Sequence, residues 1–238
     1  MNFARVFVIA SLLVCAEASA LDRSFTLSAT SDYRYRGISQ TAGDPALQGS
    51  LDFGFDSGFY VGAWASNVDF GEGEDANVEI DWYAGYTWEL GDNVGLDFMF
   101  NYYTYPGYSE SSDYFELIPS LYIGDFTFLF AWTGNYFNTG DSAKYFSADY
   151  NLELAENAGV FEGVTLDLHI GQSWGKYWDE WDIGSYTDYS VGVSASWGKA
   201  DLSLAWLDNA VAKGETVSSG AWANDGTLLF TVSGTFEF

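Results

Sequence analysis

Segments in which apolar side chains fall at every second position recur along this chain from residue 24 to the C-terminus. Val78, Ile80, Trp82, Ala84, Tyr86 and Trp88 interleave with Glu79, Asp81, Tyr83, Gly85 and Thr87. Leu228, Phe230, Val232, Phe236 and Phe238 interleave with Leu229, Thr231, Ser233, Thr235 and Glu237. Helical 3.6 spacing is absent, and period two is the signature of a strand with one apolar and one polar face. The pattern predicts twelve strands, over 24–36, 46–55, 59–68, 77–88, 94–104, 113–123, 126–134, 144–154, 164–175, 186–197, 201–207 and 226–238. The 59–68 segment alternates poorly, so ten or fourteen strands also fit.

Strand length and connector length narrow the class. A tilted strand crossing a bilayer needs ~9–11 residues, whereas soluble strands more often run ~5–6. Long connectors follow the odd-numbered strands: 37–45, 69–76, 105–112, 135–143, 176–185 and 208–225. Short ones follow the even-numbered strands: 56–58, 89–93, 124–125 and 198–200. Only 155–163 breaks the rhythm. Long loops on one rim, short turns and both termini on the other, is the plan of a transmembrane up-and-down barrel.

Composition agrees. The chain has 8 Lys+Arg against 34 Asp+Glu, a formal charge of -26, which excludes a nucleic-acid grip and a polybasic membrane anchor. Disorder is excluded by 10 Trp, 17 Tyr and 19 Phe. Residues 1–20 read as a secretory signal peptide: Arg5, an apolar run over 6–14, and Ala18-Ser19-Ala20 as the cleavage pattern. A lipoprotein reading of Leu12-Leu13-Val14-Cys15 is disfavoured by Val14, where a small residue is required. The single cysteine, Cys15, lies within that signal, so residues 21–238 carry no disulfide and no thiolate metal site.

An exported barrel and a secreted acidic β-sandwich would both alternate. The apolar face here is uniformly large, with aromatics near strand ends: Tyr33, Tyr35, Trp88, Tyr102, Trp132, Trp174, Trp197 and Trp206. Aromatics at both ends of an apolar belt form an interfacial girdle. Closure also removes the strand edges, whose unpaired amides cost several kcal/mol in lipid. The expected fold is all-β: an antiparallel transmembrane barrel of residues 21–238, in the outer membrane of a Gram-negative bacterium. A terminal Phe238 suits recognition by the outer-membrane assembly machinery. Membrane lipid and lipopolysaccharide are the other expected partners.

Ser31-Asp32-Tyr33-Arg34-Tyr35-Arg36-Gly37-Ile38-Ser39-Gln40-Thr41 follows directly on the exported N-terminus. Together with 49–55, 58–68 and the Phe-terminated end, it resembles the TorF family of porin-like outer-membrane proteins, a Gcw_chp-like group. The resemblance covers most of residues 21–238 and is most specific in its first stretch. It implies a small porin-like barrel and supplies neither a substrate nor a proven functional residue.

Parity assigns the interior. With Phe25, Leu27, Ala29, Tyr33 and Tyr35 towards lipid, Asp32, Arg34 and Arg36 point inward near the long-loop mouth. Glu79, Asp81, Glu116 and Asp188 stand at similar height on distant strands, with Asp97, Asp149, Asp167, Glu153 and Glu237 deeper. An arginine pair facing a carboxylate arc sets a transverse field across a narrow pore. Alternatively, Arg34 and Arg36 pair with Asp32 and neighbouring carboxylates and tie the first strand to the last. Inward Tyr83, Tyr103, Tyr105, Tyr122 and Tyr145 either narrow the lumen and stack on sugars or pack within the wall. The expected function is a passive, cation-preferring channel for small hydrophilic solutes or ions. The alternative is a structural or surface-recognition barrel with a closed lumen.

No enzyme is expected. His169 lies inward with Asp167 and Ser173. Residues four apart on a strand are ~13 Å apart, out of hydrogen-bond reach, and no nucleophile motif occurs. No cofactor is expected and no metal centre, the loop Asp69, Glu72, Glu74 and Asp75 being at most a weak hard-cation candidate. Loop 176–182 mixes aromatics with acids, fit to touch sugars or to fold into the mouth.

Overall fold

The structure, a computed structural model, describes residues 21–109, 111–180, 183–211 and 221–238. The expected signal at 1–20 lies outside the described residues. Twelve strands form a closed antiparallel barrel. They are β1 (Leu21–Thr30), β4 (Ala46–Phe55), β5 (Phe59–Asn67), β6 (Val78–Gly91), β7 (Val94–Thr104) and β8 (Tyr114–Ile123) in the first half. The second half is β9 (Phe126–Thr133), β10 (Ala143–Ala158), β11 (Phe161–Trp174), β12 (Tyr186–Trp197), β13 (Ala200–Asn209) and β14 (Thr227–Glu237). Two short strands, β2 (Arg34–Tyr35) and β3 (Ile38–Ser39), pair only with each other. The long loops also carry a single 3₁₀ turn at Tyr136–Asn138 and a five-residue helix, α1 (Lys176–Glu180).

The barrel closes through β1, which pairs with β14 on one side (Phe25 opposite Phe236) and with β4 on the other (Leu27 opposite Gly49). No strand edge remains, so the wall's backbone groups are paired within the sheet. Phe25, Leu27, Phe98, Phe100, Leu168, Ile170, Phe230 and Phe236 are all exposed on the outer face. A soluble protein does not present so continuous an apolar surface; acyl chains are its natural solvent. Trp88, Tyr102, Trp132, Trp197 and Trp206 are exposed in the girdle positions. The structure therefore favours the lipid-facing barrel over the sandwich.

Two sequence expectations are corrected. The first strand ends at Thr30 rather than at residue 36. The chain then turns inward, so Tyr33 and Tyr35 do not face lipid: Tyr33 packs edge-on against the inward Trp64, and the Tyr35 hydroxyl bonds Glu116. Alternation alone cannot report this, because a chain that leaves the wall keeps its side-chain parity for a few residues. Second, 155–163 is not a long connector. β10 and β11 continue past it to pair Ala158 with Phe161, with bulges between Glu153 and Ala155 and between Glu162 and Thr165. Those bulges interrupt the alternation. The short-turn rim is thereby regular.

Candidate functional site

The interior has three levels, set by the wall and by the segment between β1 and β4. The uppermost is an aromatic roof built from loops. Phe70 stacks on Trp222, centroids 4.5 Å apart. Tyr136 meets Tyr114 at 4.9 Å, and Trp178 of α1 meets Tyr186 at 5.0 Å. Ile38, Val68 and Val211 are buried among them. A cavity of about 350 Å³ remains between Tyr35, Ile38, Phe70, Tyr136, Trp178 and Trp222. Burial pushes the Tyr105 and Tyr136 phenols well above their ordinary range, and the Tyr177 phenol up to about 12. Loop 176–182 thus folds into the mouth through Trp178, while residues 181–182 lie outside the described residues. The acidic 69–75 loop is engaged internally. Asp69 accepts from the Gly71 amide, Glu74 from the Tyr108 hydroxyl, and Asp75 from the Ser109 amide and hydroxyl. Glu72 has no such contact assigned.

Below the roof, the β2–β3 hairpin crosses the lumen. Asp32 folds its base, accepting from the Ser39 hydroxyl at 2.6 Å, the Thr41 hydroxyl at 3.1 Å and Arg34 Nε at 2.5 Å. Arg34 Nη1 also donates to the Ala223 carbonyl at 2.7 Å, tying the hairpin to the loop before β14. Arg36 holds the tip: Nη1 and Nη2 donate to the two Glu116 oxygens at 3.0 and 2.7 Å. Its guanidinium lies between the Tyr35 and Tyr145 rings, 4.6 and 4.5 Å from their centroids. Such a planar, desolvated sandwich suits arginine and not lysine. Tyr35 and Tyr103 hydroxyls both donate to Glu116 Oε2 at 3.0 Å.

The tight tip needs glycine. Arg36 and Gly37 have φ of 49° and 83°, and a Cβ on Gly37 would stand 2.8 Å from Asp188 Cβ. Asn209 Nδ2 donates to the Gly37 carbonyl at 2.8 Å. Gly171, in the wall, lies where any side chain would strike the Tyr145 ring. Side chains at this height are withdrawn from solvent on every side: Asp32, Glu79, Asn101, Glu116, Thr133 and Asp188 are all buried. The hairpin packs into the lumen at this level.

Of the two sequence readings for the arginines, the geometry matches pairing with carboxylates rather than a field across open water. Arg34 pairs with Asp32 locally, and Arg36 touches Glu116 on the far wall directly. Glu79 and Asp81 sit beside the hairpin on β6, bonded to the Tyr105 hydroxyl (3.1 Å) and Asn101 Nδ2 (3.1 Å). His169 bridges two acids, Nδ1 to Asp149 at 2.6 Å and Nε2 to Asp188 at 2.8 Å, with the Tyr145 hydroxyl at 3.1 Å.

The lower lumen opens to the short-turn rim through a cavity of about 780 Å³, bordered by Asp22, Ser24, Asp52, Tyr60 and Glu237. Its acids are served by neutral donors. Asp97 accepts from Tyr60 (2.9 Å) and Thr87 (2.8 Å), Asp52 from Ser50 (2.6 Å) and Tyr83, and Asp167 from Asn151 (2.7 Å). Among the described residues, no lysine or arginine takes an inward wall position below the hairpin: Arg23 and Lys144 fall on the outward parity, opposite Phe53 and Trp132. Neutral partners leave the negative potential uncancelled. The inward tyrosines thus act mainly as hydrogen-bond donors within the wall.

Sequence reasoning anticipated only the part of the roof that loop 176–182 supplies. Phe70, Tyr136, Phe137, Trp178 and Trp222 come from separate long loops, and no local pattern links them. The available signal was large aromatics in loops that otherwise read as solvated.

The profile of the Gcw_chp family, described as a bacterial protein of unknown function, matches residues 15–236. The chain belongs to that family. No curated protein matches the sequence significantly. Among solved structures, this Gcw_chp protein is similar to the NanC porin (TM-score 0.57, 9% identity, 90% of this chain and 100% of that one). It is also similar to the KdgM porin (TM-score 0.52, 10% identity, 91% and 99%) and to KdgM in complex with disordered oligogalacturonate (TM-score 0.54, 9% identity, 91% and 99%). At such identities the likeness is one of fold. The likeness spans nearly the full length of each of these chains.

Proposed function

We propose that this Gcw_chp protein is an outer-membrane, non-enzymatic channel for passive movement of small hydrophilic solutes or ions, with a preference for cations. The supporting observation is the lower lumen: a cavity rimmed by Asp22, Asp52 and Glu237, with Asp52 and, farther in, Asp97 bonded by the hydroxyls of Ser50, Tyr83, Tyr60 and Thr87. Past Arg23 at the rim, whose side chain has outward parity, a cation meets inward acids that no lysine or arginine of the described wall faces, and an anion is repelled. Asp97, Asp149, Asp167 and His169 line this path, while Asp32, Arg34, Arg36, Glu116 and Asp188 form its narrow level. The porin likeness and the resemblance of 31–41 to TorF proteins support the same reading. Lipopolysaccharide contact and assembly through the Phe238 strand follow from an outer-membrane address. The oligogalacturonate in the KdgM structure is an acidic sugar chain; the acidic lumen here disfavours such a polyanion.

Purified protein in a planar bilayer tests this. Discrete conductance steps with a cation-selective reversal potential in a KCl gradient are expected; anion selectivity would overturn the preference. A second reading, a surface-recognition barrel with a closed lumen, is favoured by the hairpin packed into the lumen. Silence in the bilayer, with the hairpin intact or removed, would select it.

A further inference from the structure

Among the described residues, the buried acids at the hairpin level have charged partners except two. Asp32 has Arg34, Glu116 has Arg36, and Asp188 has His169. Glu79 and Asp81, neighbours on the inward face of β6, have none. Each spends one oxygen on a neutral donor, the Tyr105 hydroxyl and Asn101 Nδ2 respectively. The Tyr33 phenol also approaches Glu79. Their second oxygens, Glu79 Oε2 and Asp81 Oδ1, are buried without a hydrogen-bond partner. So is Asn101 Oδ1, on a side chain only 4% exposed and already bonded to Asp81. Three orphaned acceptors on adjoining positions of β6 and β7 cannot satisfy one another, since none carries a donor when the acids are ionised. Buried acceptors left so are costly, and a cation bound beside the two carboxylates would lower that cost.

We propose that Glu79, Asp81 and Asn101 form a binding site for a singly charged cation, an alkali ion or the ammonium head of a small solute, at the hairpin level of the lumen. The donors are hard oxygens, which exclude soft metals. Among the described residues no three acidic, histidine or cysteine side chains are grouped to hold a metal ion. The set is therefore two carboxylates and an amide carbonyl, too sparse for the six to eight oxygens a bound Ca²⁺ gathers. Tyr103 stands opposite Asp81 across the β6–β7 pair, and the Tyr105 hydroxyl bonds Glu79. The proposal deepens the cation-preferring reading by naming where a cation dwells, but its test requires no conduction.

Thermal unfolding of the full protein in detergent is followed by tryptophan fluorescence, at constant chloride and ionic strength held with bulky tetraethylammonium. Sodium, potassium, methylammonium, calcium and magnesium are titrated in turn. A saturable rise in Tm with sodium, potassium or methylammonium is expected, reaching about 5–10 °C at a hundredfold excess over Kd; which ion gives it separates a metal from an ammonium ligand. The double variant Glu79→Gln/Asp81→Asn loses the shift, and its Tm in tetraethylammonium exceeds that of the wild type. Asn101→Ala, which keeps both carboxylates, raises the half-saturating concentration several-fold. Glu89→Gln, exposed at the far end of β6, leaves the shift unchanged. No shift in the wild type, a shift with divalent ions alone, or a shift kept by the double variant would each overturn the site. A cation-selective conductance without saturable binding would sink the site and spare the pore; binding with anion-selective conductance would do the reverse.

Discussion

Arg36 reaches across the barrel to clasp Glu116, its two terminal nitrogens 3.0 and 2.7 Å from the two carboxylate oxygens. Arg36 comes from the hairpin that leaves the wall after β1 and Glu116 from β8, and both side chains are buried, at 7% and 0% exposure. The pair fixes the β2–β3 hairpin in the lumen rather than over the rim.

Removing one partner strands the other charge in a dry site. Glu116→Gln is expected to destabilise the barrel by about 3–5 kcal/mol, and Arg36→Met/Glu116→Leu to recover most of that loss. Thermal unfolding in detergent checks both. The single change also frees the hairpin tip, so larger or more frequent conductance steps accompany it.

Gly37 has φ of 83° and sits against Asp188 and Asn209. Gly37→Ala adds backbone strain and a clash together, costing about 1–3 kcal/mol. A Tm equal to that of wild type would show that the tip does not pack as described.

Asp97 and Asp149 carry charge into the lower lumen against neutral or histidine partners. Asp97→Asn/Asp149→Asn is expected to move the reversal potential in a KCl gradient towards zero, with conductance steps of similar size. An unchanged potential would place the selectivity elsewhere.

Phe98 lies near the middle of β7 on the outer face, 49% exposed. Phe98→Arg should cost about 2–4 kcal/mol of folding into vesicles, the range for a cation at the bilayer midplane. Heat-modifiable gel mobility measures the folded fraction. The same substitution at a solvated surface would cost little.

Burial raises the phenols of Tyr105, Tyr136 and Tyr177 above the ordinary value near 10. A group whose folded pKa is raised lends stability that is complete below its unfolded pKa and is lost as pH climbs towards the folded one. Stability should thus hold to about pH 10 and fall above it. Absorbance at 295 nm on unfolding at pH 11 should jump as these phenols ionise; no jump would mean that the roof is open to water.

The wall was legible from residue types alone. Ile80, Trp82 and Ala84 set against Glu79, Asp81 and Tyr83 specify a face for lipid and a face for water, and the parity survives into the barrel for each segment that stays in the sheet. Where the chain leaves the sheet, parity loses its meaning. Tyr33 and Tyr35 read as lipid-facing by position and lie inside, because Thr30 is the last wall residue of β1. Bulges near Glu153 and Glu162 hid a regular turn for a similar reason: one extra residue inverts the count.

What sequence by itself determined is the closed all-β wall and its acidic interior, since both follow from side-chain chemistry repeated at a local period of two. What only the tertiary structure decided is the hairpin across the lumen, the aromatic roof and the three orphaned oxygens at Glu79, Asp81 and Asn101. Those depend on contacts such as Arg36 with Glu116, between residues far apart in the chain. Such pairings arise from the closing of the cylinder, which no local pattern encodes.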